Sequence, residues 1–300
     1  MTVIATNATA NSAIFYLNKN SAAQSNDLTQ LASGSKITSA KDDPSGLAIA
    51  TGMGSDASVL QQASTNLQDG TAVLNTADGA YSNISDILTQ MKSLAAEAQS
   101  GSSSSTDISY INTEYQSLFN EINAISQGTT FNGTSLLAGA TVAGQAADAN
   151  GNAYVASPYG TGVNFMVGTQ ASDTISVQLN SAGTDDLLSG NANTADGGTG
   201  LETSLTAANA GAVMTDLSTA LAYISNARAG VGALLQRLSF RSDVISTSLQ
   251  NLDSAKSSIE DTDIAQTQTQ FSTDQTLTSA AVSALSDANQ MNQQILKVLQ

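Results

Sequence analysis

The sequence predicts a mainly α protein. Long antiparallel coiled-coil helices from both termini form a rod, and a small β-hairpin element lies in the middle of the chain. Three observations predict this. Apolar residues recur every seven positions, in paired rows, over long stretches near both ends, as they do where one helix packs on another. Only 2 prolines occur in 300 residues, so long helices run uninterrupted. Between these stretches Gly, Asn, Thr and Ala dominate, and the spacing is no longer helical.

Near the N-terminus, Ile14, Leu17, Leu28 and Leu31 give a short seam, with Ser21 and Gln24 in the same frame. Met53, Leu60, Leu67, Leu74, Tyr81 and Leu88 form a longer row. Ala63, Gly70, Ala77, Ile84 and Met91 form its partner, offset by three. Together these rows predict one helix from about 45 to about 100. Gly101 to Ser105 reads as a loop, with Thr106 or Asp107 as the N-cap of a second helix. Ile108, Ile111, Tyr115, Leu118, Ile122 and Ile125 mark that helix as amphipathic, ending near Gly128.

In the middle, Phe165 to Gly168 and Thr174 to Leu179 read as short strands joined by a turn, the second alternating apolar with polar. Asn191 to Gly200 reads as a loop, and the next helix is expected from about residue 202. Val231, Leu238, Ile245, Leu252 and Ile259 then lie seven apart, with Leu235 and Leu249 beside them. Glu260-Asp261-Thr262-Asp263 breaks the pattern. It resumes with Leu277, Ala284, Met291 and Val298 in one row and Ala281, Ala288 and Ile295 in another. A seam needs a partner of matching length; each end of the chain supplies one for the other. An aromatic content of 4% suits narrow seams filled by Leu, Ile and Ala.

Composition excludes several functions. There is no His and no Cys, hence no His/Cys metal site, thiol nucleophile, imidazole base or disulfide. No Gly-x-x-x-x-Gly-Lys run exists to cradle a phosphate. Asp148-Ala149-Asn150-Gly151-Asn152 begins like a calcium loop, but its Gly is at the wrong position and Tyr159 stands where a bidentate Glu belongs. It reads as a plain turn. No cofactor or metal is expected. Lys and Arg total 9 against 25 Asp and Glu, a net charge of −16. No basic stripe can neutralise nucleic acid, and an acidic surface is repelled by anionic membranes. No run approaches a membrane span, and the start, Met1 to Asn7, lacks the features of a cleaved secretory signal.

Four segments together resemble the bacterial flagellin family: Leu31 to Ala50 (LASGSKITSAKDDPSGLAIA), Ala227 to Leu238 (ARAGVGALLQRL), Ser258 to Ala265 and Ala288 to Leu296. Phe131 to Leu137 and the hairpin at 165–179 are similar to family blocks as well. The resemblance covers roughly 1–138, 163–188 and 205–300 in the family's order.

It implies an inner helical domain from 1–44 with 257–300, an outer helical domain from 45–256 with its hairpin near 163–180, and a short variable surface loop at 139–162. The implied function is that of a structural subunit, not an enzyme, which self-assembles into the helical flagellar filament. Leu17, Leu28, Leu31, Leu277, Ala281, Ala284, Met291, Ile295 and Val298 become the expected inner-domain interface. Lys41, Asp42, Asp43, Arg228 and Arg237 become candidates for intersubunit or inter-helix polar pairs. The residues at 42–44 also read more simply as a helix cap followed by proline. Gln290, Asn292, Gln293, Gln294 and Gln300 are candidates for lining a central channel.

The implied partners are further copies of the chain, the flagellar export apparatus with a C-terminal-binding chaperone, and the filament cap and hook-junction proteins. The implied location is the extracellular filament, reached without a cleaved signal. Residues 1–44 and 257–300 are expected to order only on assembly. Leu88 to Ala95 aligns with the stretch that a flagellin-sensing Toll-like receptor contacts in some flagellins. Here Lys92 and Leu94 lie in that stretch, but Gln90 and Ser93 replace charged residues, so strong receptor activation is not expected. The alternatives are a hook–filament junction protein of the same architecture and a cytoplasmic coiled-coil scaffold. An enzyme carried on this frame has little room in the roughly 25 residues outside the matching blocks.

Overall fold

The computed structural model describes residues 7–100, 103–138, 158–183, 187 and 204–298. The Asp148 to Asn152 segment and most of the variable loop lie outside the described residues. Five long helices dominate: α1 (Ala8–Ser33), α2 (Pro44–Gln99), α3 (Ser105–Gly128), α5 (Ala210–Glu260) and α6 (Ile264–Val298). The one-turn α4 (Pro158–Thr161) and two small antiparallel ladders lie between α3 and α5. Residues 1–58 with 249–300 form one compact unit and 59–248 the other. The sequence reading places these boundaries at 44 and 257.

In the unit formed by 59–248, both predicted rows of α2 are buried from Leu60 to Met91. Leu74, Tyr81, Ile84, Leu88 and Met91 are sealed completely. Val73, Ala80 and Leu94 are buried on a further face, so α2 packs on more than one side. On α5 the row Ala210, Leu217, Ile224, Val231, Leu238 and Ile245 is buried. The adjoining row is Val213, Ala220 and Ala227; Leu235 and Leu249, expected beside the main row, are only half-buried at the seam's edge. Asp78 of α2 meets Arg228 of α5, and Gly70 lies against Leu238, so the two helices run antiparallel. Helix α3 buries Ile111, Tyr115 and Ile122, in the predicted frame.

Helix starts differ from expectation at two places. Ser104, not Thr106 or Asp107, caps α3, and Asp107 returns a bond to the Ser104 N–H as the third helical residue. Helix α5 begins at Ala210 rather than near 202, because Thr206 and Asn209 exchange side-chain-to-backbone bonds of 2.7 and 3.3 Å just before it.

The strands are β1 (Thr130–Phe131) with β2 (Thr134–Ser135), and β3 (Val163–Met166) with β4 (Thr174–Val177). In the second ladder Val163 pairs with Val177 and Met166 with Thr174. Ile175 and Val177 point inward, Thr174 and Ser176 outward, as the alternation predicts. The hairpin is tied to the helices: Asn66 donates to the Met166 carbonyl (3.0 Å), Arg241 to that of Val167 (3.0 Å), and the Tyr81 hydroxyl to that of Asn180. Burial pushes the Tyr81 hydroxyl well above the usual tyrosine range. The first ladder is absent from the sequence reading. Its two-residue turn is Asn132-Gly133, with φ of 50° and 75°, and Asn-Gly between short β-prone residues is the hairpin signal.

Candidate subunit interface

Both ends of the chain belong to the unit formed by 1–58 and 249–300. There α1 and α6 lie antiparallel. The Asn7 amide donates to the Ala288 carbonyl at 3.0 Å. At the other end of α1, Thr262 N–H donates to the Gly34 carbonyl (3.0 Å) and Lys36 N–H to that of Glu260 (2.6 Å). Asp263 caps α6 through the amides of Ala265 and Gln266, so the polar break at 260–263 is a turn between two helices.

The seam between these helices is narrow and polar. From α1 it takes buried Ala10 and half-buried Ala13, Leu17, Asn20, Gln24, Asp27 and Leu31, alternating by three and four. From α6 it takes buried Thr267, Asp274, Ala281 and Ala288, with Phe271, Thr278, Leu285 and Asn292 half-buried between them. This corrects the expected frame. The spacing marks Leu277, Ala284 and Met291 as a seam row, yet all three are exposed, as are Ile14 and Leu28 on α1. The physical reason is the narrowness of the contact. Ala and Thr let the two backbones approach, so only the row facing the partner helix is covered, Leu17, Leu31, Phe271 and Leu285 included. The adjoining row is left outside it. Leu28 is 56% exposed and Met291 57%. Phe15 and Tyr16, in edge-to-face contact with each other, are also exposed. The side chains of Ile295 and Val298 lie outside the described residues, as does Gln300. Gln290, Gln293 and Gln294 are exposed and Asn292 is half-buried.

In this seam Thr278 Oγ1 is enclosed without a hydrogen-bond partner among the described residues, and Asp27 Oδ2 is enclosed beside the Asp274 carboxylate. Burial, and after it the negative charge of Asp274, pushes the Asp27 carboxyl above its ordinary value. The α1–α6 pairing therefore buries little apolar surface and carries an unsatisfied group, so taken alone it is weakly held.

The candidate polar residues fall in different settings. Asp43 caps α2, accepting from the amides of Ser45 (3.1 Å) and Gly46 (2.9 Å), and Pro44 is the first helical residue. Asp42 accepts from the Thr38 hydroxyl (3.0 Å) and the Ser39 amide (2.9 Å); the Thr38 bond leads in holding its carboxyl below the usual range. Lys41 is exposed. Arg228 pairs with Asp78 at 2.9 Å between α5 and α2. Arg237 is exposed and makes no ion pair among the described residues. In the receptor-like segment, Gln90 donates to the Glu114 carboxylate (3.2 Å), Lys92 is half-buried and Leu94 is buried. The structure thus gathers Leu17, Leu31 and Ala281 in one seam. Leu28, Leu277, Ala284 and Met291 flank that seam, exposed. Sequence reasoning missed Asp27 and Asp274; their frame, continuing from Leu17 and Leu31 and from Ala281 and Ala288, was the available signal.

No described helix is long and apolar enough to cross a membrane. Among the described residues no group of three or more carboxylates gathers to hold a metal.

Comparison with known proteins agrees with this arrangement. Residues 4–141 match the family described as bacterial flagellin N-terminal helical region, and residues 214–299 the bacterial flagellin C-terminal helical region. The flagellin of Bacillus subtilis is 32% identical over 300 residues, covering 94% of this chain and 95% of that protein. The flagellin of Listeria monocytogenes is 34% identical over 291 residues, covering 95% and 94%. The flagellar filament core protein flaB2 of Brachyspira hyodysenteriae is 31% identical over 278 residues, covering 92% of each chain. With both terminal regions matched and full-length relatives above 30% identity, this chain belongs to the bacterial flagellin family.

Proposed function

We infer that the chain is the structural subunit of a bacterial flagellar filament, acting mechanically and not as an enzyme. The observation that carries this is the apolar flank of the α1–α6 pair. Ile14 and Leu28 on one helix, and Leu277 and Met291 on the other, stand outside a seam too polar to hold the pair firmly. Copies packed side by side would cover those flanks and supply the missing apolar burial. The terminal helices then gain their stability from the polymer, so that residues 1–44 and 257–300 order on assembly.

Leu17, Leu28, Leu31, Leu277, Ala281, Ala284, Met291, Ile295 and Val298 are proposed as the inner interface, with Leu17, Leu31 and Ala281 within the pair and Leu28, Leu277, Ala284 and Met291 between copies. Gln290, Gln293 and Gln294, polar and uncharged, suit a wall along which an unfolded chain passes without sticking. Terminal helices that order late also suit passage of the unfolded chain through a flagellar export apparatus. A C-terminal-binding chaperone would shield the flank of α6 beforehand, and cap and junction proteins would meet the two ends of the polymer.

Sedimentation and electron microscopy of seeded, purified chain test the reading. The wild type should pellet as long filaments. Met291→Lys and Leu28→Glu should leave the helicity of the soluble chain unchanged and remove the pelleted fraction. Normal filaments from both variants would overturn the assignment of this flank.

A further inference from the structure

The chain holds six methionines and neither Cys nor Trp. With no thiol to consume it, a hydroperoxide meets the thioethers first. Burial sets these apart. Met91 is sealed in the α2 core, and Met53 and Met214 are half-buried. Met166, on the β3–β4 hairpin, is 39% exposed, and Met291, on α6, is 57% exposed. Met291 is thus the most open of the five described methionines.

Its setting is also distinct. Leu277, Ala284 and Met291 lie seven residues apart, so they share one face of α6, and all three are exposed. Ala288, one turn before Met291, is buried in the seam, and its carbonyl takes the Asn7 amide at 3.0 Å. Met291 therefore stands on the apolar flank, just outside the place where the start of α1 is held to α6. Met166 belongs to the unit formed by 59–248, where it pairs with Thr174. The one strongly exposed thioether of the terminal helices is thus on the face that the filament needs apolar.

We propose that Met291 is an oxidation site through which hydroperoxides control assembly: the soluble chain is oxidised there and loses its capacity to join a filament, while the assembled chain is protected. The proposal rests on the filament reading above and gives its flank a chemical sensitivity. The Met291 Sδ lone pair attacks the terminal oxygen of the peroxide. An S–O bond forms, the O–O bond breaks, and the proton passes to the leaving oxygen, which departs as water or an alcohol. The thioether is oxidised by two electrons and the peroxide is reduced by two. The sulfoxide is polar and chiral. On an exposed flank it costs the soluble chain little. Burying its oxygen against the apolar face of a neighbour, with no donor to meet it, opposes association. Methionine sulfoxide reductase returns the thioether, so the change is reversible.

The test treats purified soluble chain with dilute hydrogen peroxide, maps the sulfoxides by peptide mass spectrometry and pellets the chain on untreated wild-type seeds. Met291 and Met166 should oxidise first and Met91 last, with circular dichroism of the soluble chain unchanged. Chain oxidised at Met291 should need about a tenfold higher concentration to assemble. Methionine sulfoxide reductase should restore the untreated value. Met291→Leu, apolar and without sulfur, should assemble equally before and after peroxide, while Met166→Leu should stay sensitive. In preformed filaments Met291 should oxidise far more slowly than in the soluble chain. Should Met291→Leu fail to assemble untreated, recovery by the reductase, read on the Met291 peptide, decides in its place. Normal assembly of chain oxidised at Met291, peroxide sensitivity that Met291→Leu keeps or Met166→Leu loses, or equal oxidation of Met291 in filament and soluble chain overturns this inference and leaves the filament reading standing. Failure of the untreated wild-type chain to pellet overturns the filament reading instead.

Discussion

Asp27 and Asp274 face each other across the α1–α6 seam, Asp274 only 8% exposed and Asp27 with one carboxylate oxygen enclosed. The Asp27 carboxyl is held above its ordinary value, first by burial and then by the neighbouring Asp274. The paired helices thus bind a proton more readily than the separated ones. Pairing is favoured below the ordinary Asp range and loses that advantage as pH rises through the raised value. Above it, the Asp27 charge is set against that of Asp274. Lys19 and Asp287 are the other charged residues of the two helices with described side chains, and neither appears among the causes of the Asp27 shift. Asp27→Asn should raise the melting midpoint of the terminal helices at pH 7 and flatten its fall as pH rises above the ordinary Asp range. Circular dichroism melts across that range check it. An unchanged pH profile would show that the two acids do not couple pairing to protons.

The weakness of this seam predicts a gradient of protection in the soluble chain. Amides of α1 and α6 should exchange with deuterium near the unfolded rate, while those of α2 around Leu74 to Met91 are held. Assembly should protect both sets. Strong protection of α1 in the monomer would mean that the pair stands without neighbours.

Much of this was legible because α2 and α5 obey one rule over many turns. The rows Leu60 to Leu88 and Ala63 to Met91 are buried as their spacing demands, since each has an apolar partner of the same period. At the termini the rule misled. Leu277 and Met291 have the right spacing and hydrophobicity, yet the structure leaves them exposed and continues the seam from the other row, Ala281 and Ala288, through Asp274 and Thr267. Hydrophobicity identifies faces that must be covered; it does not say whether the cover comes from the same chain or from another. In a polymerising protein an apolar row is needed outside as well, and only the packed helices separate the two faces. Arg237 shows the same limit. Its sequence setting marked it as a partner in some polar pair, yet it is exposed and makes no ion pair among the described residues.

Burial predicts opposite consequences for two leucines. Leu88 is 1% exposed and Leu277 46%. Leu88→Ala leaves a cavity in the α2 core and should cost about 2–5 kcal/mol in the soluble chain. Leu277→Ala should cost less than about 0.5 kcal/mol there, yet should slow filament growth and raise the concentration at which it begins. Chemical denaturation of monomer beside turbidity of seeded assembly separates the effects. Equal losses in both assays for Leu277→Ala would place it in the intramolecular core.

The Arg228–Asp78 pair spans α5 and α2 at 2.9 Å, but both side chains are more than a third exposed, at 40% and 38%. Such a pair contributes at most about 1 kcal/mol. Arg228→Ala should therefore lower the monomer's melting point by only a few degrees. Reversal to Arg228→Glu should do more, by setting like charges beside each other near Asp86, whose charge also acts on Arg228. Adding Asp78→Arg should recover part of that loss. A large loss from Arg228→Ala in the monomer would contradict the exposed geometry.

Gly34 ends α1 in the left-handed region, at φ of 71°. Its N–H bonds the Gln30 carbonyl at 2.8 Å, and its own carbonyl accepts from Thr262 at 3.0 Å. Gly34 therefore both closes the helix and joins it to the turn between α5 and α6. A Cβ added there meets nothing within 4 Å, so the cost of substitution is that of the backbone conformation alone. Gly34→Ala should destabilise the α1–α6 pair by about 1 kcal/mol. Gly34→Asn should cost less, because Asn tolerates that conformation. Gly34→Val should cost more, because a β-branched side chain does not. Disassembly temperatures of the filaments should fall in the order Gly, Asn, Ala, Val. An alanine variant as stable as wild type would show that the turn at Gly34 does not hold the two ends of the chain together.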